Sequence, residues 1–384
     1  MKYLGETARA GGHDTMAAIN DLAARGGPSP WRQALHILWL ALSGSGVRPE
    51  EYFTYALWRK DRGRAFLKGF LPNHRKRAFN ASLLMPDRGL AEAVMNDKLA
   101  TEALLLARGL PVSRSRAVWQ PPGAAALPEL PGLKVLESPA ALEGFLSDPA
   151  NLPTFGKPRA DSFARGATVI AGLAAPGSLR FLTGATAPVR ALAAEIAQDW
   201  GAGYLFQDFY QCAGSIRSHT GQAMASVRIV TLWTARGIEP WYAVIRLPAR
   251  TAMHDGDAHD LRIWGLIELE TGRIARLRNL RDPLTPDLTH GHDPDRPFLG
   301  TTLPDWPRAV EICREGHLAF PGHGLIGWDV FLTEAGPLLN EANVTPGHLY
   351  QVAAQRPLLN PELRPAYERA RAFARLHGGG ADRF

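Results

Sequence analysis

Cysteine is nearly absent from this chain of 384 residues, which contains only Cys212 and Cys313. Two cysteines are too few for a disulfide framework or a thiolate metal site, so we expect a protein of a reducing compartment. Lysine is scarce as well, because only seven of the 43 Lys and Arg residues are lysines. The net charge of +6 therefore comes mostly from arginine. Such a bias largely reflects nucleotide composition, and we do not expect a nucleic-acid partner.

Long apolar runs are also missing. The most apolar segment spans residues 31–42, but it contains Arg32, Gln33 and His36 and is much shorter than the roughly 20 residues of a membrane span. We expect a buried helix there and no transmembrane segment. The first thirteen residues lack the apolar core of a secretory signal. These absences predict a cytoplasmic protein.

The composition that remains is that of a globular protein. With 46% hydrophobic residues, the chain has enough apolar side chains for a sizeable core in two or three domains. Strands and helices mix without the regular alternation of a doubly wound sheet, and no internal repeat is visible. We predict an α+β fold with a mostly helical N-terminal region at residues 1–95, a central subdomain at 96–208 and a C-terminal subdomain at 209–384.

Three oxygen-bearing side chains, Asp329, Glu341 and Asn343, lie close together near the C-terminus. Residues 327–333 alternate like a half-buried strand, and a glycine ends a three-residue loop at 334–336, as in many hairpins. A hairpin folded about the middle of that loop places Asp329 opposite Glu341, with Asn343 on the same face. Two carboxylates and an amide suit Mg²⁺ on a nucleotide. The alternative is an ordinary hairpin with polar residues on its solvent face.

Two of the scarce lysines stand at positions that suit phosphate binding. Lys98 lies in the first turn of a predicted helix with Asn96 as its N-cap. The helix dipole disfavours a cation there by roughly 0.3–1 kcal/mol, a penalty that a bound anion reverses. Lys157 ends an apolar strand and opens a basic loop. Alternatively, Lys98 is a solvated surface residue and the loop is a hairpin tip.

The loop after Lys157 has the composition of a flap over phosphates. It offers small residues for close backbone approach and arginines for charge; these residues are Arg159, Ser162, Arg165 and Gly166.

Arg228 stands inside the apolar run ASVRIVTLW, which predicts a central strand. A buried guanidinium is costly unless it meets an acid, a phosphate or water. One interpretation is a structural ion pair. The other is a cation aimed at a transferring phosphoryl group, to which the fixed donor fork of arginine is suited.

Taken in order, these motifs resemble those of the ATP-grasp superfamily, and most closely its sugar-transfer-associated branch. The resemblance covers roughly residues 95–350, and the tail after Asn343, with Pro346 and Gly347, also resembles D-alanine–D-alanine ligases. It depends on the ordered set Asn96-Asp97-Lys98, Gly156-Lys157-Pro158, Gln207-Asp208-Phe209-Tyr210, Ser226 to Thr231, Gly327-Trp328-Asp329 and Glu341-Ala342-Asn343. It implies an ATP-grasp fold in which two α+β subdomains grip ATP.

The resemblance also implies roles for individual residues. Lys98, Lys157 and the loop 159–166 would contact the phosphates of ATP, and Arg228 would stabilise the transferring γ-phosphoryl group. The hinge that binds adenine would consist of Gln207, Asp208, Phe209 and Tyr210. Mg²⁺, with Mn²⁺ as an alternative, would be held by Asp329, Glu341 and Asn343. Weaker candidates for substrate contact are Arg246, Thr345, Gly347 and His348, and a structural role for His348 is an alternative.

The implied activity is that of an ATP-dependent ligase that releases ADP and phosphate. A carboxylate would be activated as an acyl phosphate and attacked by an amine or another nucleophile, and both substrates are expected to be small or carrier-linked. The alternatives are an ATP-dependent phosphotransferase and a non-catalytic nucleotide-binding protein. Nothing in the sequence identifies the acid, the acceptor or the oligomeric state.

The chain departs from the family pattern at three places. Asp161-Ser162 stands where the family usually has Gly-Ser, no acid shortly after the hinge is available for the ribose, and the stretch after Arg246 lacks paired glycines. Two further features are read as solvated surfaces: the loop 254–260 with its His and Asp residues, and the segment 59–77 with eight Lys and Arg residues against Asp61.

Overall fold

The computed structural model describes residues 2–4, 15–123, 128–160, 165–248, 263–280, 282 and 287–379. In these ranges the helices are α1 Thr15–Ala24, α2 Pro30–Leu42, α3 Pro49–Thr54, α4 Arg64–Gly69, α5 Lys76–Ala81, α6 Gly89–Met95, α7 Lys98–Ala107, α8 Pro139–Ser147, α9 Val189–Asp199, α10 Gly214–Thr220, α11 Trp306–His317, α12 Tyr350–Ala354 and α13 Arg364–Leu376. The strands are β1 Ser115–Trp119, β2 Lys134–Leu136, β3 Thr154–Pro158, β4 Thr168–Ala175, β5 Ser178–Phe181, β6 Thr186–Pro188, β7 Tyr204–Asp208, β8 Ser226–Thr234, β9 Gly237–Leu247, β10 Ile263–Ile267, β11 Ile274–Asn279, β12 Leu325–Thr333 and β13 Gly336–Asn343.

The first sheet has the strand order β2-β1-β7-β3-β4-β5-β6. One face is covered by α8 and α9, whose apolar side chains pack with Ala117, Trp119 and Phe206 in one core. The alternate residues Val118 and Leu205 point to the other face, where they pack against Leu99 of α7. Because strand side chains alternate, the polar residues in register with Leu205 share the α7 face.

The second sheet is antiparallel and has the order β11-β10-β9-β8-β12-β13. Val227, Ile229, Trp328 and Val330 point to one face and join α11 in the largest core cluster. The opposite face carries Arg228 and Asp329 at its β13 end, whereas α5, α12 and α13 cover its remaining part. The predicted alternation of β12 is therefore confirmed.

The helical N-terminal region attaches to the second sheet through polar contacts. Gln351 of α12 accepts a hydrogen bond from the Leu71 amide and donates one to the Leu71 carbonyl, each 2.8 Å long. Asn80 of α5 contacts His348, with its Oδ1 2.7 Å from Nε2. These paired contacts hold the helical region against the turn that follows β13.

The prediction of an α+β fold with two sheet-based parts and a helical N-terminal region is confirmed. The prediction that residues 31–42 form a buried helix is wrong. They form α2, but only Gln33 and Leu40 are buried in it, whereas Trp31 and Leu42 are 60% and 78% exposed. In the described part of the chain, no helix is long and apolar enough to cross a membrane.

The predicted start of α7 was one residue early. Asp97, not Asn96, is the N-cap, and its side chain accepts hydrogen bonds from the amides of Leu99 and Ala100 at 3.0 and 3.3 Å. Asn96 instead ends α6. The capping chemistry is the expected one, and Lys98 remains in the first turn.

Candidate functional site

A row of charged side chains crosses the β13 end of the second sheet. Asp329 on β12 lies directly opposite Arg228 on β8 and directly opposite Glu341 on β13. Residues paired across antiparallel strands share a face, so the three side chains project into the same space. The predicted pairing of Asp329 with Glu341 is confirmed.

The turn and the strand register that produce this pairing differ from those predicted. Thr333 pairs with Gly336, so the turn holds two residues, Glu334 and Ala335, instead of the predicted three. The register then shifts between Asp329 and Val330, because Asn340 is an extra residue in β13. This bulge compensates for the shorter turn and restores the expected pair. Bulges often redirect a side chain next to a functional site.

Asp329 is held by two arginines. Arg228 donates from Nε to Oδ1 at 2.7 Å and from Nη2 to Oδ2 at 2.9 Å, and Nη2 of Arg246 lies 3.1 Å from Oδ1. Burial raises the pKa of Asp329, but the charges of Arg228 and Arg246 outweigh it and lower the pKa to about 2. The carboxylate is therefore ionised at every pH at which the protein is expected to work.

Asn343 and Gly327 complete the edge of this cluster. Asn343 donates from Nδ2 to the Gly327 carbonyl at 3.1 Å and to Oδ2 of Asp329 at 3.4 Å. A Cβ atom on Gly327 would lie 2.6 Å from Cβ of Pro346 and 3.3 Å from Cδ of Arg228. Glycine at this position thus allows the turn after β13 to fold over the arginine.

Lys157 approaches this cluster from the first sheet. It pairs with Leu205 in the α7 face, is only 5% exposed, and donates from Nζ to Oδ1 of the bulge residue Asn340 at 3.1 Å. Burial, together with the charge of Lys98, lowers the pKa of Lys157 to about 8, although Glu341 opposes the shift. A buried ammonium group whose nearest acceptor is an amide oxygen is suited to binding an anion.

Glu102 is a charged residue of this site that sequence reasoning missed. It is 4% exposed and accepts hydrogen bonds from the amide of Ser115 at 2.8 Å and from its hydroxyl at 2.6 Å. Burial raises its pKa, and the hydrogen bonds from Ser115 oppose the shift. Gln207 donates to the same hydroxyl at 3.3 Å. An acid within the apolar periodicity of α7 was the signal that was overlooked.

A small, polar cavity lies between the two sheets. A cavity of about 10 Å³ is lined by α7, β7 and β13, including Lys98, Glu102, Gln207 and Glu341. The Ser113 hydroxyl in its wall is buried, and it has no hydrogen-bond partner among the residues that the structure describes. Such a volume holds about one water molecule, whereas small-molecule pockets measure roughly 300–1,000 Å³. This cavity is therefore too small for a nucleotide.

Arg159, which was predicted to be part of the flap, contacts the N-cap residue of α7. Its Nε donates to both carboxylate oxygens of Asp97 at 2.9 and 3.0 Å, and its Nη1 donates to Gln120 at 3.0 Å. The structure thus uses Arg159 to fix the N-cap of α7. The backbone of Lys98 is tied to the same residue, with its amide 3.2 Å from the Arg159 carbonyl.

The rest of the predicted flap is partly described. Gly166 has φ +67°, its carbonyl accepts from Tyr204 at 2.7 Å, and a Cβ atom there would lie 2.3 Å from Trp200. Glycine is thus explained by the backbone conformation and by packing. Arg165 is exposed. Ser162 and the loop 254–260 lie outside the described residues.

The predicted hinge follows β7. Asp208 projects away from the cavity and lies 3.5 Å from Nε of Arg116. The Tyr210 hydroxyl accepts from the Arg114 amide at 3.1 Å, and Phe209 is half-buried. Of the four hinge residues, Gln207 alone lines the cavity.

His348 is fully buried beside the second sheet. Its Nδ1 lies 3.1 Å from the Tyr242 hydroxyl, and burial, with smaller effects of Lys76 and Arg228, lowers its pKa to about 3. The imidazole is therefore neutral near pH 7. Thr345 is exposed and Gly347 half-buried in the same turn.

The donor chemistry fits Mg²⁺ delivered with a nucleotide. In the ranges given above, no group of three or more His, Cys, Asp or Glu side chains could hold a metal ion. Asp329, Glu341 and Asn343 offer two carboxylates and an amide, and Mg²⁺ commonly uses one or two carboxylates together with substrate phosphates. This set suits a metal that arrives with its phosphates better than a resident ion.

Residues 197–364 match the family described as sugar-transfer associated ATP-grasp. The match includes Gln207, Arg228, Asp329, Glu341 and Asn343, whereas Lys98 and Lys157 lie before it. The resemblance predicted from the sequence motifs is thereby confirmed. No curated protein matches this chain.

Solved structures show more distant similarity. The D-Ala:D-Ser ligase VanG from Enterococcus faecalis is 13% identical, with a TM-score of 0.42 over 75% of this chain and 63% of its own. Biotin carboxylase from Campylobacter jejuni, in a complex with β,γ-ATP, is 11% identical, with a TM-score of 0.42 over 75% of this chain and 48% of its own. Carboxyaminoimidazole ribonucleotide synthase from Aspergillus clavatus, complexed with ATP, is 13% identical, with a TM-score of 0.38 over 67% and 47%. This chain therefore spans about half to two thirds of their lengths.

Proposed function

We propose that this chain, whose residues 197–364 match the sugar-transfer associated ATP-grasp family, is an ATP-dependent ligase. It activates a carboxylate as an acyl phosphate, which an amine or another nucleophile then attacks, with release of ADP and phosphate. The observation that supports this most strongly is that Lys157 donates a hydrogen bond to Asn340 of β13, beside the Arg228–Asp329 pair. Cations from two sheets converge there, and Arg228 and Arg246 both contact Asp329.

The phosphates of ATP would bind between the sheets. Lys98 at the first turn of α7 and Lys157 on β3 supply the charge on one side, and the dipole of α7 favours an anion near its N-terminus. Lys157 is buried with a lowered pKa of about 8. An anion next to it relieves the cost of its burial, so phosphate binding and the placement of Lys157 support each other.

On the other side, Arg228 would hold the transferring phosphoryl group. Asp329 fixes the guanidinium through two hydrogen bonds, and a donor fork held in advance loses little freedom when charge develops on the phosphoryl oxygens. Arg246, held by Ser226 at 3.0 Å, directs a second guanidinium to the same place. A carboxylate substrate, which is itself an anion, would be guided by this second cation.

Asp329, Glu341 and Asn343 would hold Mg²⁺ on the phosphates. When bound, the ion neutralises phosphate charge and orients the terminal phosphoryl group for in-line transfer. The chemistry that follows needs a substrate carboxylate oxygen to attack the γ-phosphorus while ADP leaves. The nucleophile then displaces phosphate from the acyl group.

Adenine would bind beside β7, where Gln207 and Ser113 border the cavity. The helical residues 1–95 and the turn with Thr345, Gly347 and His348 would shape the acceptor side. In this proposal residues 96–208 and 209–384 are the two subdomains that grip ATP.

Isotope transfer tests the reaction. The protein is incubated with ATP, Mg²⁺ and an amine pool, and ADP release is screened over amino acids, uronic acids and peptides as the carboxylate. The acid that supports turnover is then supplied with ¹⁸O in its carboxylate. A ligase places ¹⁸O in inorganic phosphate, and Glu341→Gln serves as the inactive control.

The alternatives give different products. A phosphotransferase forms ADP and a phosphorylated acceptor without labelled inorganic phosphate, and that result would replace the ligase mechanism. A nucleotide sensor binds ATP in calorimetry but forms no ADP with any acceptor. Arg228 and Arg246 favour catalysis over sensing, because a protein that only binds ATP gains little from two guanidinium groups at the γ-phosphate.

A further inference from the structure

The outer face of α2 is apolar. Trp31, Leu35, Leu38 and Leu42 follow one another at spacings of four, three and four residues, which places them along one side of a helix. They are 60%, 55%, 53% and 78% exposed. Trp39, 41% exposed, lies at the margin of this stripe. An exposed row of this kind is unusual on a folded domain and marks an interaction surface.

The buried side of α2 includes a polar residue, and hydrogen bonds from that residue fix the orientation of the helix. Gln33 is fully buried and donates from Nε2 to the carbonyls of Ile19 and Pro28 at 2.9 and 2.8 Å. Leu40 is also buried. The polar residue therefore faces inwards with its donors satisfied, and rotating the helix to bury the leucines would break these bonds. Folding of the chain does not explain the apolar outer face.

Exposed arginines lie at both ends of the apolar stripe, in a basic part of the chain. Residues 25–82 carry eleven Lys and Arg residues against three Asp and Glu residues. Arg32 extends from α2 itself, exposed, with its guanidinium 5.5 Å from the Trp31 ring centre. At the C-terminal end of α2, Arg75 donates to the Gly44 carbonyl at 3.1 Å, and it brings the basic segment 73–77 beside the stripe.

We propose that α2 docks this protein onto a membrane surface rich in anionic lipid. The stripe of Trp31, Leu35, Leu38 and Leu42 lies in the boundary between headgroups and acyl chains, and Arg32 and Arg75 contact lipid phosphates. Helices that lie in this boundary combine Leu and Trp on one side with Lys and Arg at the margin, and tryptophan favours this depth because its ring is amphipathic. At 13 residues, α2 lies on the bilayer and does not cross it.

The charge surplus favours a lipid surface over a second copy of the chain. A symmetric dimer through α2 would bring two strongly basic regions together, and the repulsion between them would weaken the contact. An anionic bilayer attracts each Lys or Arg that lies near its surface. Because Gln351 and His348 tie the helical region to the second sheet, docking would hold the proposed ligase site at a fixed height above the membrane.

Vesicle sedimentation of the full chain tests the proposal. We expect the protein to sediment with vesicles of equal parts phosphatidylcholine and phosphatidylglycerol, to release in high salt, and to remain in the supernatant with phosphatidylcholine alone. Leu38→Glu should weaken binding about tenfold or more. The substitution removes a leucine that would be buried in the bilayer and adds a negative charge next to anionic lipid. Leu376→Glu is the matched control, since Leu376 is 81% exposed on α13.

Two further variants separate the contributions. Arg32→Glu combined with Arg75→Glu should weaken binding and reduce its salt dependence. Trp31→Phe combined with Trp39→Phe should remove most of the fluorescence quenching caused by brominated phosphatidylglycerol. Circular dichroism of every variant checks that the fold is retained.

Two results would overturn the proposal. One is equal binding of the wild type, Leu38→Glu and Leu376→Glu to anionic vesicles. The other is a wild type that ignores vesicles but elutes as a dimer at micromolar concentration, while Leu38→Glu elutes as a monomer. The second result would assign the stripe to a second copy of the chain. Neither result depends on turnover, so the proposed ligase activity stands or fails separately.

Discussion

Arg228 and Asp329 lie directly opposite each other on β8 and β12 and share two hydrogen bonds of 2.7 and 2.9 Å. Both residues are buried, with 6% and 5% of their surface exposed. A buried ion pair of this kind adds little net stability, but removal of one partner leaves the other charge unpaired at a large cost. The residues proposed for phosphoryl transfer and metal binding are therefore also part of the structural core of the second sheet.

Asp329→Asn should lower both stability and activity. Loss of the carboxylate leaves Arg228 buried without a counter-charge, so we expect the free energy of unfolding to fall by about 3 kcal/mol, and ADP formation to be abolished. Urea denaturation at pH 7 measures the first effect and a coupled ADP assay the second. A variant as stable as the wild type would contradict the structural role.

Glu341→Gln should abolish ADP formation without this loss of stability. Glu341 lies opposite Asp329 but is half-buried, and among the described residues no side chain donates a hydrogen bond to it. Its charge is therefore available to a metal on ATP rather than needed by the fold. We expect the free energy of unfolding to change much less than in Asp329→Asn, because no described side chain loses a hydrogen bond. Full activity of this variant would refute the proposed metal site.

The pH dependence of ATP use should report Lys157. Its pKa of about 8 lies below the ordinary 10.5 because of burial, so the ammonium charge is present below pH 8 and is lost above it. We expect kcat/KM for ATP, which reports the free enzyme, to fall with increasing pH above about 8. In Lys157→Arg the charge persists, and this decline should disappear. A wild-type profile that stays level to pH 9.5 would show that Lys157 does not bind phosphate in its charged form.

Lys157→Met should stabilise the protein in the absence of ATP. A lysine whose folded pKa lies below its unfolded value is protonated more readily in the unfolded chain, so it destabilises the fold at pH 7 and this penalty fades as pH rises from 8 to 10.5. Removing the charge should raise the free energy of unfolding by about 1–3 kcal/mol, while ATP binding weakens. Thermal unfolding with and without ATP measures both, and Lys98→Met, at a less buried position, is the control. A less stable Lys157→Met protein would contradict the prediction.

Much of the second sheet could be predicted from the sequence because its signals are local. Alternating burial identified β12, and the glycine and polar residues after it identified a turn. The pairing of Asp329 with Glu341 was correct, although a two-residue turn and a bulge at Asn340 replaced the expected loop. A bulge depends on the partner strand, so periodicity along one strand does not reveal it.

The contacts of other residues were not predicted because their partners are distant in sequence. Arg159 is bound to Asp97, 62 residues away, and Glu102 hydrogen-bonds to Ser115 from within an apolar helix face. Helix α2 was predicted to be buried because its composition is apolar. In the structure its buried side includes Gln33, whose side-chain amide donates hydrogen bonds to carbonyls outside the helix.

By itself the sequence determined the α+β class, the alternation of β12, the scarcity of lysine, and the set of charged residues that resembles the ATP-grasp family. These depend on backbone propensity, side-chain alternation and residue type, all of which act locally. Only the tertiary structure decided that Arg228 pairs with Asp329, that Lys157 contacts Asn340, and that Leu35, Leu38 and Leu42 of α2 face outwards. Those outcomes depend on which polar groups form hydrogen bonds when distant segments pack together. Burying a polar group without such a partner is energetically costly.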